Sequence, residues 1–220
     1  MTSVDLRLNA IIDPAVAGGR DIVDLARCVA AGGATLVQFR DKRGETRAIV
    51  EEVRAIKAVL TPFNVPLVVN DRVDVALAAG ADGVHVGQAD MAAIDARRLL
   101  GATAIIGLSI SSTAEAEAAP IESIDYAGIG NVYATASKQL PNPPIGPEGF
   151  ARIAAVLRRR APTMPACGIA GINADNAGAV IAHGADGVAV ISALSLAPDP
   201  AAAARILRGI IDGMLAKRGA

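Results

Sequence analysis

An α/β fold closed into a TIM (β/α)8 barrel is what three features of this sequence predict. Short apolar runs alternate with helical patterns about eight times along the chain, no linker interrupts them, and 220 residues suit one large domain of this architecture. The expectation is therefore a single barrel domain over residues 1–220. Composition agrees. At 52% hydrophobic but only 2% aromatic, the core must be built from Ala, Val, Ile and Leu, which suits parallel strands buried on both faces beneath Ala-rich helices.

Taken in order, Leu8 to Ile12 reads as the first strand, and Asp21 to Ala31 as a helical pattern stopped by Gly32-Gly33. Thr35 to Arg40 is the second strand and Glu45 to Leu60 an amphipathic helix. Pro62 and Pro66 bracket a loop before the third strand, Leu67 to Asn70. A helix over Val73 to Ala79 ends at Gly80, Gly83 to Val86 is the fourth strand, and Met91 to Leu100 the next helix. The pattern continues with strand Ala104 to Leu108, helix Ser112 to Ala118, strand Asp125 to Gly130 and helix Pro147 to Arg160. Strand Met164 to Ile169, helix Asn173 to Ala182, strand Gly187 to Ile191 and a closing helix over Ala201 to Ala216 complete it.

An internal echo accompanies the alternation: Ala79-Gly80-Ala81-Asp82-Gly83-Val84 recurs as His183-Gly184-Ala185-Asp186-Gly187-Val188, four units later. Two readings stand, a half-barrel repeat or a helix stop and strand start common to α/β proteins.

Charge and composition exclude several classes. Twenty-one Lys plus Arg against 22 Asp plus Glu leave a net charge of −1, no footprint for nucleic acid or an anionic membrane. Scarce aromatics argue against base stacking. No run reaches the roughly 18 apolar residues of a membrane span, and the N-terminus lacks a secretory pattern. The two cysteines, Cys28 and Cys167, lack metal-ligand spacing and read as core residues in a reducing compartment, so a cytoplasmic protein is expected.

Chemistry in such a barrel is expected at the carboxyl ends of the strands. There, Leu67 to Asp90 carries Asp71 and Asp90, each just past an apolar run. On parallel strands about 5 Å apart, or twice that with one strand between, the two carboxylates face one point. Each aspartate also precedes a helix, where an N-cap Asp is ordinary. Together, with Asn70 and Gln88 nearby, they suit Mg²⁺, which binds one or two carboxylates, waters and phosphate oxygens. On the second strand, period-two alternation puts Leu36, Gln38 and Arg40 on one face and Val37 and Phe39 on the other. If the apolar pair meets the helices, Gln38 and Arg40 face the barrel interior, with Lys42 beyond. An anionic ligand is one partner for Arg40; an ion pair with Asp41 or Asp71 is the other.

Gly168 to Asn173 and Val190 to Ala193 fall at the usual phosphate site of such barrels, where backbone N–H groups bind a dianion. Asn173 also reads as a helix cap, and Ser109 as a ligand contact or a cap. His85 reads as a core or supporting histidine and His183 as structural. The segment Asn131 to Gly146, Pro-rich and longer than a usual βα loop, carries Thr135, Ser137 and Lys138 and is of a length to close over substrate. With two histidines and no Cys/His or Ser/His arrangement, nucleophilic catalysis has no constellation.

At these residues the sequence resembles the thiamine phosphate synthase family over nearly its whole length. The resemblance rests on Gln38-Phe39-Arg40-Asp41-Lys42, Asn70-Asp71-Arg72, Gly83-Val84-His85-Val86-Gly87-Gln88 with Asp90, Gly107-Leu108-Ser109, Thr135-Ala136-Ser137-Lys138 and the ends of the last two strands. It implies condensation of hydroxymethylpyrimidine diphosphate with thiazole phosphate, releasing pyrophosphate. Asp71 and Asp90 would bind one Mg²⁺ per subunit. Gln38, Phe39, Arg40, Asp41, Lys42, Asn70, Ser109 and Lys138 would hold the pyrimidine diphosphate, with Arg40, Lys42 and Lys138 offsetting the charge of the leaving group. Thr135, Ala136, Ser137, Gly171, Ile191 and Ser192 would take the thiazole phosphate. A homodimer is suggested by the same resemblance. The sequence departs from the family pattern at Ala170, where a glycine is usual, at Asp41 for Glu and at Ser137 for Thr. The Ala170 methyl is expected to weaken the phosphate contact without abolishing activity. Two other readings of the barrel are a thiazole tautomerase, which needs neither diphosphate nor Mg²⁺, and a non-catalytic phosphate-ligand sensor.

Overall fold

A computed structural model of the chain describes residues 4–137 and 143–219. Eight strands, β1 (Leu8–Ile12), β2 (Leu36–Phe39), β3 (Leu67–Asn70), β4 (Gly83–Val86), β5 (Ile105–Ile110), β6 (Tyr126–Ile129), β7 (Ala166–Ile169) and β8 (Gly187–Val190), close into one barrel in sequence order. Every pairing is parallel, and β1 closes on β8 through Leu8–Val188 and Ala10–Val190. The helices are α1 (Ile22–Ala31), α2 (Thr46–Leu60), α3 (Val73–Ala79), α4 (Ala93–Leu100), α5 (Thr113–Ala118), α6 (Gly146–Arg160), α7 (Ala177–Ala182), α8 (Ser192–Ser195) and α9 (Pro200–Gly219).

Strand alternation divides the apolar residues into two separate clusters. Outward side chains such as Val37, Phe39, Val69 and Val84 meet the helices in the larger one. Leu6, Ile11, Leu36, Val68, Ile105, Tyr126, Cys167 and Ala189 fill the barrel itself. The face assignment made for β2 is therefore correct: Val37 and Phe39 meet the helices while Leu36 points in, and Gln38 and Arg40 continue that inward row.

Helix ends follow their local chemistry. Asp21 caps α1 by accepting from Asp24 N at 2.7 Å. Ser112 caps α5 the same way, accepting from Glu115 N at 3.1 Å. Gly80 ends α3 in the left-handed conformation that glycine tolerates, at φ 67°.

The echoed segments have a physical cause. Ahead of β4, β6 and β8, the carboxylates of Asp82, Asp125 and Asp186 accept from the backbone N–H of Leu67, Ile106 and Ala166, near the start of the preceding strand, at 2.8, 2.8 and 3.0 Å. Ahead of β2, Thr35 accepts from Leu8 N at 3.0 Å in the same way. Each aspartate is also paired with a cation from the helix that precedes the first strand of its pair: Lys57 of α2 at 3.1 Å, Arg97 of α4 at 2.6 Å and Arg158 of α6 at 3.0 Å. The following glycine belongs to the device, because a Cβ on Gly83 or Gly187 would lie 1.8 Å from the backbone oxygen of Ile105 or Leu6. The motif thus recurs at every second strand, twice as often as the sequence shows, because Thr35 and Asp125 sit in different flanking residues.

Several boundaries differ from expectation. β5 runs to Ile110, so Ser109 lies within the strand and not just past it. The helix expected from Asn173 starts at Ala177, since Asn173 to Asn176 form a turn in which Asn173 Oδ1 accepts from Asp175 N at 2.9 Å. Asn173 is therefore no helix cap. A short 3₁₀ turn at Thr61–Phe63 opens the stretch read as a loop between Pro62 and Pro66, and another, Ile121–Ser123, lies between α5 and β6.

Candidate active site

Most of the predicted site residues come together in one cavity of about 280 Å³ at the carboxyl ends of the strands. Arg40, Lys42, Asn70, Asp71, Asp90, Ser109, Thr135, Ser137, Gly171, Ile191 and Ser192 line it, joined by Gln88, Glu115, Asn131, Ala170 and Ile172 among others. Phe39 contributes no side chain, being packed outward under the helices. Asp41 turns its carboxylate into its own loop, accepting from Arg43 N at 2.8 Å and Gly44 N at 3.0 Å. Ala136 is not on the cavity wall. Lys138 lies outside the described residues.

On the β1–β4 side the site is charged. Arg40 pairs with Asp13, a buried carboxylate at the end of β1, and not with Asp41 or Asp71. Asp13 is itself fixed by accepting from Ala15 N at 2.8 Å. Sequence reading passed over Asp13 because an Asp before Pro at a strand end looks like ordinary turn chemistry. Lys42 reaches Asp71. Neither aspartate caps a helix: the residue at the start of α3 is Arg72 and that at the start of α4 is Ala92. Asp71 instead adopts a left-handed φ of 62° and bonds its backbone N–H to His85 O at 2.8 Å. Asp90 folds back to accept from Gly87 N at 2.8 Å. The two carboxyls meet, and burial followed by the contact with Asp90 pushes Asp71 above the usual carboxylate range, against the opposing pull of Lys42. Two adjacent oxygen donors of like charge suit a hard cation that takes its remaining ligands from water and substrate. Among the described residues no cluster of three or more His, Cys, Asp or Glu offers a closed metal cage.

The floor is neutral. Gln38 is 2% exposed in the inward row of β2, and the hydroxyl of the buried Tyr126 lies in the same interior. That hydroxyl is 2.9 Å from His85 Nδ1, and His85 Nε2 is 2.9 Å from Ser109 Oγ. Burial holds the Tyr126 phenol well above its ordinary range, so it stays protonated. Glycines make the space. A Cβ on Gly107 would lie 2.2 Å from the Tyr126 ring and 2.4 Å from His85, and one on Gly128 would lie 3.0 Å from His85. His85 is thus the supporting histidine the sequence suggested, whereas Tyr126 was not singled out within its strand.

Across the cavity, the ends of β7 and β8 present backbone. Gly171, at φ 64°, has no room for a Cβ, which would fall 2.3 Å from Ala134 O. The loop after β6 is stitched to it through Val132 N to Ile169 O at 2.9 Å and Tyr133 N to Ala170 O at 3.1 Å. Thr135 Oγ1 accepts from Ser137 N at 3.1 Å, shaping the turn that carries both hydroxyls. Asn176 braces the segment from below, donating to Gly171 O and accepting from Asn173 N, both at 2.9 Å. Ala170 holds a φ of 79°, rare for a residue with a Cβ. Ile191 stands at the start of α8, with Ser192 its first residue. These N–H groups belong to irregular turns and a helix of four residues, so turn geometry, not a long helix dipole, shapes this wall.

A (β/α)8 barrel whose strand ends gather cations and paired carboxylates on one side and backbone turns on the other is a small-molecule enzyme architecture. The chain belongs to the thiamine monophosphate synthase family, whose TMP-TENI profile matches residues 8–194. It is 50% identical to the thiamine-phosphate synthase of Agrobacterium fabrum over 218 residues, 99% of each chain. To that of Moorella thermoacetica it is 46% identical over 204 residues, 93% of this chain and 95% of the other. A solved structure of thiamine phosphate pyrophosphorylase from Pyrococcus furiosus superposes with a TM-score of 0.84 at 36% identity, covering 97% of this chain and 98% of that one.

Proposed function

We infer that the protein condenses 4-amino-2-methyl-5-(diphosphooxymethyl)pyrimidine with 4-methyl-5-(2-phosphoethyl)thiazole, or its carboxylated form, to give thiamine phosphate and pyrophosphate. The observation that carries this is a single cavity holding a cationic and acidic side, Arg40 and Lys42 with Asp71 and Asp90, opposite the backbone turns at Gly171 and Ile191. One side suits a diphosphate and the other a monophosphate. The full-length likeness to thiamine-phosphate synthases supports the same reaction.

In this reading the C–O bond to the diphosphate breaks first, because the aminopyrimidine ring stabilises the methylene cation it leaves. Arg40, held by Asp13, and Lys42 offset the charge that grows on the departing pyrophosphate. Asp71 and Asp90 would hold Mg²⁺, which supplies Lewis-acid charge to the leaving oxygens when bound. Lys138 is proposed to add a third cation. The thiazole nitrogen then attacks the exposed carbon, positioned by its phosphate at the Gly171 and Ser192 turns and by the hydroxyls of Thr135 and Ser137. No proton need be removed by the protein, which accords with the absence of a histidine general base from the mechanism.

A tautomerase or a simple phosphate sensor would have no use for an acidic pair and two cations at the opposite side. Two free thiols, Cys28 and Cys167, support a reducing cytoplasmic setting. The test is formation of thiamine phosphate and pyrophosphate from the two purified substrates, with Mg²⁺ and with a chelator. Metal-dependent product is expected. Full turnover in chelator, or unchanged turnover in Asp71→Asn and Lys138→Ala, would remove the residue assignments, and no product at all would remove the reaction.

A further inference from the structure

At the start of α7 stands an asparagine whose side chain does nothing for its own helix. Asn176 occupies the N-cap position, yet its amide makes no capping bond, and only its backbone oxygen accepts from Ala179 N, at 3.1 Å. The side chain reaches back instead into the turn after β7, donating to Gly171 O and accepting from Asn173 N, both at 2.9 Å. We propose that Asn176 is a positioning residue: it fixes the peptide joining Gly171 to Ile172 so that the Ile172 N–H donates to the phosphate of the thiazole substrate, and it withholds the N–H of Asn173. This rests on the reaction proposed above and adds to it what sets the donor pattern of the phosphate wall.

The polarity of this brace is fixed because both of its partners are backbone groups. An N–H only donates and a carbonyl only accepts, so the Asn176 side-chain oxygen faces Asn173 and its nitrogen faces Gly171. A trans peptide is planar, with its C=O and N–H antiparallel. Holding Gly171 O toward Asn176, which lies off the cavity wall, therefore turns the Ile172 N–H to the opposite side, where Gly171 and Ile172 line the cavity. The preceding peptide is set in the same way: Ala170 O accepts from Tyr133 N at 3.1 Å, so the Gly171 N–H faces away from that bond. Among the described residues neither N–H has a hydrogen-bond partner. Adjacent peptide N–H groups in a left-handed turn, with φ 79° at Ala170 and 64° at Gly171, make a concave backbone that takes an anion. Ile172 is 5% exposed, so its N–H sits where a partner is needed and water is scarce. Glycine gives the peptide after it unusual freedom to rotate. The turn therefore needs a tie from outside, and Asn176 supplies it.

Two measurements test this. In steady-state kinetics, Asn176→Ala should raise the KM for thiazole phosphate about tenfold, the worth of one hydrogen bond to a charged group, and leave the KM for the pyrimidine diphosphate unchanged. Asn176→Asp keeps the length and the acceptor for Asn173 N but cannot donate to Gly171 O, so its KM for thiazole phosphate should rise at least as far. A wild-type value in Asn176→Asp would overturn the proposal. Unchanged KM values in both variants, or equal rises for both substrates, would mean a merely structural brace and would overturn it too. Independently of activity, amide NMR of isotope-labelled protein titrated with inorganic phosphate reads the donors one by one. The Gly171 and Ile172 amide protons should move downfield while that of Asn173 stays, and the Ile172 response should be lost in Asn176→Ala. Movement of Asn173 in place of Ile172 in the wild type, or an unaltered Ile172 response in the variant, would overturn the proposal. If wild-type protein made no thiamine phosphate yet showed the Ile172 response and its loss in Asn176→Ala, the reaction would fall while the positioning role of Asn176 stood.

Discussion

Ala170→Gly should stabilise this protein, and the size of the gain follows from the backbone. Ala170 holds a φ of 79° in the turn after β7, in the left-handed region where a Cβ crowds the carbonyl oxygen. That conformation costs an L-residue about 1–2 kcal/mol, while glycine loses about 0.5–1 kcal/mol of extra chain entropy on folding. The difference leaves a net gain of about 0.5–1 kcal/mol, which for a domain of this size corresponds to a melting temperature higher by about 1–4 °C. Differential scanning calorimetry of the two proteins at neutral pH reads it. The same turn lines the cavity, so removing the methyl should lower, not raise, the KM for thiazole phosphate, leaving the KM for the pyrimidine diphosphate alone. A melting temperature equal to or below that of the wild type would refute the reasoning. It would mean that Tyr133, bonded to the Ala170 carbonyl, and the surrounding loop impose this conformation at no cost that glycine relieves.

The barrel floor makes a second prediction. Asp125→Ala strips a buried partner from both Arg97 and Ile106 N and should cost about 3 kcal/mol in urea unfolding. Asp186→Ala, at a site one-third exposed, should cost about 1 kcal/mol. Asp13→Asn removes the charge that holds Arg40 and should lower kcat more than tenfold, by the scale of a buried charged pair, with little change in the KM for thiazole phosphate. Burial pushes the Cys167 thiol up to about 12 and holds Tyr126 well above its usual range. Because these acids stay protonated in the fold while the unfolded chain releases its protons, stability should fall as pH rises above about 9. Cys167→Ala should flatten that alkaline slope in pH-dependent unfolding. Mg²⁺ should raise the melting temperature at pH 7.5 by binding only the folded pair of Asp71 and Asp90, and Asp71→Asn should abolish the rise.

Most of the architecture was legible because barrel strands and helices differ in period, and the strict alternation of Leu36-Val37-Gln38-Phe39-Arg40 reveals which face is which. The site was legible wherever a charged residue sat on an inward or strand-end position with no water to excuse it, as with Arg40, Lys42, Asp71 and Asp90. What escaped were partners whose role depends on contacts between distant strands. Asp13 is separated from Arg40 by a whole βα unit, and nothing near either residue announces the pair. Tyr126 drew no notice because its ring is core while its hydroxyl reaches His85 on the floor of the site. Gln38 was read as a substrate contact from its inward position, and it lies 2% exposed in that row.

The two ends of the barrel divide labour in a way that explains where this sequence tolerates strain. At the amino ends, Thr35, Asp82, Asp125 and Asp186 tie each odd strand to its successor, and the three carboxylates are neutralised by helix cations. At the carboxyl ends, Asp71 and Ala170 hold left-handed conformations and the acidic pair is only partly compensated by Lys42. A site that must release a pyrophosphate cannot satisfy its own charges fully, because groups paired among themselves have little left to offer a ligand. The stability withheld at that end is supplied at the other. It follows that substitutions weakening the amino-end ties should lower stability while sparing the kinetic constants of the surviving folded protein, and that those easing strain at the carboxyl end should do the reverse wherever the strain orients a ligand group. Ala170 is the informative exception, since its strain lies in a turn whose glycine neighbour already gives the phosphate its close approach.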